Sequence, residues 1–510
     1  MKLGGGEGLK ITREQILTLY KAGPEAIISL VEQLSEIIER LSAQVEEQQR
    51  SIAEQQRRIE ALEQGLRKDS HNSGKPPSGD TMQSRQKRRT NRSADKKKNR
   101  RPGGQKGHRG STLQMVSEPH EVVVYRVRHC DGCGRSLRTA PVVEHERRQV
   151  FDLPAIEVQV TEHRAEHKSC ECCGQLSSTG FPEGVRHKAQ YGSRLQAYAV
   201  YIRNYGLLAY ERAAQLFEDL FSVPLSAGTL VNMDRSCARG LAGVSEKIRQ
   251  RLIGSAVIGC DETGMSIRGQ LHWLHVASTA ELTYLQCPPK RGKEAFEEIG
   301  ILAHFKGRAI HDHWESCFHY GCAHGLCNAH HLRELTFVFE EYGQRWARRM
   351  IELLLEINHA VHKAVRRGQQ RFSAPTCAAY ENRYRKIIAA GLRANPPSAD
   401  PPEGAKRGRR KQSKPRNLLQ RLKNRRPQTL AFMFDFRVPF HNNQAERDLR
   451  MSKVQQKISG TFRSTQGAVS FCRIRSYIST IKKNAIRVID ALQSAVEATP
   501  ILPPCLRTAE

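Results

Sequence analysis

Ala256-Val257-Ile258-Gly259-Cys260-Asp261-Glu262-Thr263 is an apolar run that ends in an acid. Such a run reads as a central strand that carries a carboxylate to its edge. The runs QLHWLHVAS (270–278) and ELTYLQC (281–287) follow it, which predicts a meander of three strands. A helix is expected from Lys293 to Leu302. Gly307-Arg308-Ala309-Ile310-His311-Asp312 then repeats the first pattern, a strand ending in an acid. Another strand and helix begin at Gly325-Leu326-Cys327. Much later, Asn442-Asn443-Gln444-Ala445-Glu446-Arg447 opens a helix that carries a third acid.

Three strands, a helix, a strand and a further helix follow the order of an RNase H-like fold. There the first acid lies on the first strand, the second after the fourth, and the third on a late helix that faces them. The residue types suit phosphoryl transfer, which needs attacking and leaving oxygens in line and their charge neutralised. Two Mg²⁺ (or Mn²⁺) ions do both, and carboxylate oxygens are the ligands Mg²⁺ prefers. Asp261, Asp312 and Glu446 are therefore the candidate catalytic, metal-holding set. Each acid also has a plain structural reading. Asp261 could close a strand turn and leave Glu262 as the ligand. Asp312 could pair with Arg308 or a histidine, and Glu446 with Arg450 one helical turn on.

The chain of 510 residues has room for about three domains. Its 82 Lys+Arg against 52 Asp+Glu give a formal charge of +30, which calls for a polyanionic partner. No run of 18 apolar residues exists, and the N-terminus MKLGGGEGLK lacks the apolar segment of a secretory signal. A soluble, cytoplasmic protein without membrane contact is expected. Fourteen cysteines in a reducing compartment argue for metal binding where the spacing is right, and for small core residues elsewhere, such as Cys237 and Cys472.

Apolar residues recur in steps of four and three from Ile27 to Leu66, with Val31, Ile38, Val45, Ile52, Ile59 and Leu66 at a and Ile27, Leu34, Leu41 and Leu62 among the d positions. This is a coiled-coil seam, and β-branched a with Leu at d favours a parallel dimer. Gln48 and Gln55 at d weaken the seam and could fix its register. Residues 67–120 turn basic and rich in Ser, Pro and Gly, with ten Lys/Arg between Arg85 and Arg101. That arm cannot bury enough surface to fold alone. Its Arg88, Lys97, Arg101 and Lys106 are candidate phosphate contacts. The glycine-rich stretch Gly103–Gly110 suggests close backbone approach, again to phosphate.

The runs EVVVYRV (121–127) and IEVQVTEH (156–163) read as short strands beside two knuckles, Cys130-x-x-Cys133-Gly134 and Cys170-x-x-Cys173-Gly174. Four thiolates in two such pairs are the set a structural Zn²⁺ takes, here in a zinc ribbon-like arrangement. Cys172 is an extra thiol that could replace a neighbour. Residues 190–245 read as helices, among them a helix-turn-helix-like pair with Ser226 as N-cap and Thr229, Asn232 and Arg235 on the second helix. Lys406 to Arg426 holds eleven Lys/Arg and no acid, a basic loop with Arg409 and Arg410 toward DNA. Arg447 and Arg450 are placed to hold phosphate beside the third acid. Arg463, Lys482 and Lys483 are general DNA contacts. His311 to His331 holds nine His/Cys, and Cys317, Cys322, Cys327 and His330 could bind another zinc. His330, His331 and Arg333 more readily position DNA or support the second acid.

The layout is an α+β, α/β multidomain chain. The zipper covers 1–66, the basic linker 67–120, the zinc region 121–180 and the helix-turn-helix-like helices 181–248. The catalytic core comes in two parts, 249–345 and 431–490, around a helical, basic insertion at 346–430, with a tail at 491–510.

From about Ser70 to Asn484 the chain resembles the large transposase of insertion-sequence family 66, a group of bacterial mobile elements. The carriers are Ser73-Gly74-Lys75-Pro76-Pro77-Ser78, Gly103–Gly110, the CxxCG knuckles, Asp261-Glu262-Thr263, His311-Asp312, Leu326-Cys327-Asn328-Ala329-His330-His331-Leu332-Arg333-Glu334-Leu335 and Asn442-Asn443-x-x-Glu446-Arg447-x-x-Arg450. The resemblance implies an Asp–Asp–Glu transposase with Asp261, Asp312 and Glu446 as catalytic set, an N-terminal zipper, a zinc-binding region, an insertion before the glutamate and small accessory proteins encoded beside it. Where related members place an aromatic, glycine-rich stretch after the second acid, this chain has His313-Trp314-Glu315-Ser316-Cys317-Phe318, so Glu315 is a nearby competitor for metal. Element ends cut and joined by two metals are the expected activity. The alternatives are a zinc-containing DNA-binding regulator without catalysis, and an RNase H-like nuclease or resolvase that cuts without joining.

Overall fold

A computed structural model describes residues 12–73, 80, 112–397 and 412–507. The chain divides into two compact units, Met1–Asn91 and Arg92–Glu510. Arg88, Lys97, Arg101, Lys106, Arg409, Arg410 and the Gly103–Gly110 stretch lie outside the described residues.

In the first unit, helix α1 (Arg13–Lys21) precedes α2 (Pro24–Leu66), 43 residues without interruption. Pro24 starts α2 where a missing N–H costs nothing, and Glu25 sits at the positive end of the helix dipole. Most described heptad residues stand uncovered, Val45 at 51% and Ile52 at 63% exposure, while Ile27 and Leu34 are half-buried. One helix presents the whole apolar stripe, and i,i+4 pairs such as Arg50–Glu46 decorate its surface.

In the second unit, residues 121–166 form no strand. The strands expected at EVVVYRV and IEVQVTEH do not form: Tyr125 is 91% exposed and Val160 87%. Alternation of apolar residues specifies a strand only when a surface exists to receive the apolar face, and none covers these runs. The strands present in this region are β1 (His167–Ser169) and β2 (Leu176–Ser178), paired antiparallel around the second knuckle.

Helix α3 (Ser193–Val200) runs into a π turn at Tyr201–Tyr205, followed by α4 (Tyr210–Phe221), α5 (Ala227–Gly240) and α6 (Ala242–Ile253). Ser226 caps α5 as expected, its Oγ accepting from Thr229 N at 3.0 Å. Asp234 of α5 points inward, accepting from Asn204 Nδ2 at 2.6 Å and from the Tyr210 hydroxyl at 3.0 Å. Of the residues proposed to read DNA from α5, Asn232 is exposed, while Thr229 and Arg235 are half-buried.

The core sheet comprises β3 (Val257–Ile267), β4 (Gln270–Ser278), β5 (Thr283–Gln286), β6 (Arg308–His311) and β7 (Ala323–Leu326) in the order β5-β4-β3-β6-β7. β3, β4 and β5 form the antiparallel meander, and β6 and β7 run parallel to β3. Helix α7 (Lys293–Ile299) bridges β5 to β6. β3 does not stop at Asp261: it continues to Ile267 beside β4, while its pairing with β6 ends at Gly259–Ile310.

Helices α8 (Asn328–Tyr342), α9 (Arg345–Val365), α10 (Ala374–Ala394) and α11 (Lys414–Asn424) share one core, in which Met350, Leu354, Tyr384 and Leu419 pack with Ile310 of β6. Helices α12 (Asn443–Ser459), α13 (Thr465–Lys483) and α14 (Val488–Val496) close the fold, with α12 on β3 and β4 and α13 on β5.

Lys483, expected as a DNA contact, is instead structural. Its Nζ donates to Asp448 Oδ2 at 2.7 Å and to the carbonyls of Thr279 and Leu282, both at 2.9 Å. Thr283 and Ser479 hydroxyls complete the Asp448 carboxylate. The pair locks α12 and α13 onto the start of β5. Asp448→Asn, which leaves Lys483 buried without its counter-charge, is expected to cost roughly 3–5 kcal/mol, read as a lowered denaturant midpoint.

Candidate active site and zinc knuckles

Asp261 stands on β3 opposite Val276 of β4, just past the end of the β3–β6 pairing. Asp312 follows the last residue of β6. His313, directly after it, takes φ 83, a region that side chains with a Cβ seldom adopt, and turns the chain sharply there. Glu446 lies in the first turn of α12.

Asn442, at the head of α12, ties these pieces together. Its Nδ2 donates to the Cys260 carbonyl at 2.7 Å, and its backbone N–H reaches Cys327 Sγ at 3.1 Å. Its side chain makes no cap bond to the helix and joins helix to strand instead. Gly259 makes room for it, because a Cβ there would lie 2.4 Å from Asn442 Oδ1.

Burial pushes the Asp261 carboxyl up to about 8, reinforced by the charges of Glu262, Asp312 and Glu446. Its bonded partner is the Glu262 amide, at 2.9 Å. Glu262 has its own cation: Arg291 binds Oε1 at 2.8 Å and lies over the rings of Trp273 and Trp314. The adjacent acid is thus occupied by arginine, and Asp261 is left without one. Arg291, on the turn Pro288-Pro289-Lys290-Arg291-Gly292, was not singled out from the sequence, although a basic residue on a short turn after the meander was visible.

Glu446 does not pair with Arg450. Its Oε1 lies 4.0 Å from His330 Nδ1 and its Oε2 3.9 Å from Arg333. His330 and Arg333 therefore face the third acid, not the second. His331 is buried, bonded through Nδ1 to Asn328 Oδ1 at 2.9 Å, and is not available to DNA. Glu315 turns to Arg425 at 3.2 Å. Asp312 shows no ion pair with Arg308, whose guanidinium binds the His324 carbonyl at 2.8 Å. Arg447 and Arg450 are exposed on α12, Arg447 contacting Gln444 Oε1 at 2.9 Å, and Arg463 is also exposed. Among the described residues, one group of three metal-ligating side chains has its ligand atoms within 4.8 Å of one another: Cys327, His330 and Glu446. Cys317 and Cys322 do not join it.

The two knuckles are built alike. Cys130 N–H donates to the Arg135 carbonyl at 2.9 Å and Gly134 N–H to the Cys130 carbonyl at 2.8 Å; Cys170, Gln175 and Gly174 repeat both bonds at the same lengths. Gly134 at φ 72 and Gly174 at φ 69 make the turn that a Cβ would strain. Amides of Cys133 and Gly132 hold the Cys130 thiol below its usual range, and those of Cys173 and Cys172 do the same for Cys170. Such sulfurs are prepared for a metal. Cys172 occupies the place of Gly132 in the first knuckle. The four thiols do not form one convergent group, so each knuckle stands by itself.

The transposase IS66 family matches residues 188–470, more than half of the chain and the whole stretch that carries the three acids. The chain belongs to the IS66 family of transposases. The zinc-finger binding domain of transposase IS66 matches residues 128–174, which contain both knuckles. A family of unknown function matches residues 24–114. No curated protein matches the chain. The protein is a DNA transposase, and its zinc-finger domain calls for a structural zinc. Among the described residues, no helix is long and apolar enough to cross a membrane.

The carboxyl at Asp261 has a consequence for stability. A carboxyl raised to about 8 in the folded chain favours folding at acid pH, and that contribution is lost as pH rises from the unfolded value toward 8. Asp261→Asn is expected to stabilise the metal-free transposase at pH about 8 by at least about 1 kcal/mol, and to do less at pH about 5. Thermal melts in EDTA at the two pH values check this.

Proposed function

We propose that this transposase nicks the ends of its element and joins them to target DNA with two metal ions held by Asp261, Asp312 and Glu446. The observation that supports the reading is that acids from three distant segments lie near enough for Glu262, Asp312 and Glu446 to raise the Asp261 carboxyl, which lacks any cation of its own, although the oxygens of Asp261, Asp312 and Glu446 do not converge within 4.8 Å. Glu446 Oε1 is likewise buried without a hydrogen-bond partner. Such a donor set fits a hard divalent ion. Bound there, two Mg²⁺ or Mn²⁺ ions would activate water or a 3′-hydroxyl and offset charge on the leaving oxygen.

The sheet order β5-β4-β3-β6-β7, antiparallel on one side of β3 and parallel on the other, supports an RNase H-like core. In this reading the chain's own residues divide the work. The acids hold the metals. Arg447 and Arg450, exposed beside Glu446, hold phosphate. Arg291 keeps Glu262 from competing for metal. Arg88, Lys97, Arg101, Lys106, Arg409 and Arg410 grip double-stranded DNA through phosphates, with an affinity that falls as salt rises. The open heptad seam of α2 pairs with a second copy, small accessory proteins of the element assist, and the reaction proceeds in the cytoplasm, where DNA is.

DNA spanning the element's own ends, incubated with Mg²⁺ or with EDTA, tests the reading. Nicking at a defined end, followed by joining, is expected only with Mg²⁺. Asp261→Asn, Asp312→Asn and Glu446→Gln should each bind DNA as before and cut slower by roughly three orders of magnitude or more, as when one member of a catalytic unit is lost. Cleavage retained in any one variant removes that residue from the set. Deleting residues 1–66 is expected to lower the mass measured by light scattering; an unchanged mass rules out the zipper.

A further inference from the structure

Cys327 and His330 are three residues apart at the head of α8, on its first turn. Cys327 is 1% exposed, its sulfur accepts from the Asn442 amide at 3.1 Å, and burial pushes its thiol up to about 11. His330 Nδ1 is buried and has no hydrogen-bond partner. Glu446 Oε1, 4.0 Å from that nitrogen, has none either. The other Glu446 oxygen is turned to Arg333 at 3.9 Å. One sulfur, one imidazole nitrogen and one carboxylate oxygen thus converge within 4.8 Å, and two of them lack any other bond. The side chains of His330 and Glu446 remain 29% and 31% exposed, which leaves a route in from solvent.

We propose that Cys327, His330 and Glu446 form a second metal site, selective for a thiophilic divalent ion such as Zn²⁺ or Co²⁺. Three ligands of mixed S, N and O type with an open fourth position are a zinc-like set. Mg²⁺, which takes oxygen ligands in a near-octahedral shell, does not suit it. The site differs from the knuckles in joining one thiolate to a histidine and a carboxylate. It differs from the Asp261–Asp312–Glu446 set in ligand chemistry, but it shares Glu446. A thiophilic ion held here therefore takes Glu446 away from Mg²⁺, and low concentrations of Zn²⁺ inhibit cleavage. That consequence, unlike the binding itself, rests on the proposed role of Glu446.

The test uses full-length protein whose finger is already filled with zinc, in excess Mg²⁺ and without DNA. Co²⁺ is titrated in, and the near-ultraviolet thiolate-to-cobalt absorption is followed. Wild type is expected to take up a further equivalent of Co²⁺ with that absorption, and Zn²⁺ should displace it. Cys327→Ser should lose the band, and His330→Gln, at a half-exposed position, should weaken Co²⁺ binding by at least about tenfold, the low end even for an outer-sphere change. His330→Gln keeps the test decisive if loss of the buried sulfur unfolds the chain. No band in wild type, or the same band and affinity in wild type and His330→Gln, overturns the site. Neither result depends on cleavage, so failure here leaves the Asp–Asp–Glu reading standing, and failure of that reading leaves the cobalt band in place.

Discussion

The hydrogen bond from Asn442 Nδ2 to the Cys260 carbonyl, 2.7 Å long, spans 182 residues of sequence. It sets the head of α12 against β3 beside Asp261, close enough for the Glu446 charge to act on the Asp261 carboxyl. Two features depend on it. Gly259 must lack a side chain, because the amide fills the space a Cβ would take. The insertion between the two parts of the core must return to the sheet, which it does through a shared core containing Ile310 of β6. The buried Lys483–Asp448 pair then fixes the other end of the same first turns of α12 to β5 and α13.

A helix held at both points delivers a carboxylate into a region that already contains Asp261, Asp312 and Glu262. Burial alone makes such crowding costly, and the neighbouring charges add to it. The chain relieves one acid with Arg291 and leaves Asp261 unrelieved. A site that is unfavourable without a cation and favourable with one is how a protein stores affinity for metal. The knuckles follow the same logic with softer ligands: amides aimed at Cys130 and Cys170 favour the thiolate before any ion arrives.

The sheet was legible because its strands are buried and their apolar runs are long; the meander and the strand ending at His311 stand where Val257–Ile258 and Ala309–Ile310 predict them. The Ser226 cap and the 43-residue helix were legible because local chemistry alone decides them. The strands expected at 121–127 and 156–163 failed for the opposite reason: alternation was present, but no surface was there to pack on. Lys483 was misread as a DNA contact because its partner, Asp448, is 35 positions away and nothing local marks the pair. The spacing of Cys327 and His330 was visible, but its third member, Glu446, comes from another segment, and Cys317 and Cys322 were equally plausible by sequence.

The central claim is that Asp261, Asp312 and Glu446 hold two ions side by side. Electron paramagnetic resonance of the transposase bound to element-end DNA in Mn²⁺ reads this directly, because two Mn²⁺ ions about 3.5–4 Å apart couple magnetically and isolated ions do not. The account predicts a coupled pair in wild type that disappears in Asp261→Asn. Isolated Mn²⁺ signals, identical in wild type and in that variant, would contradict it.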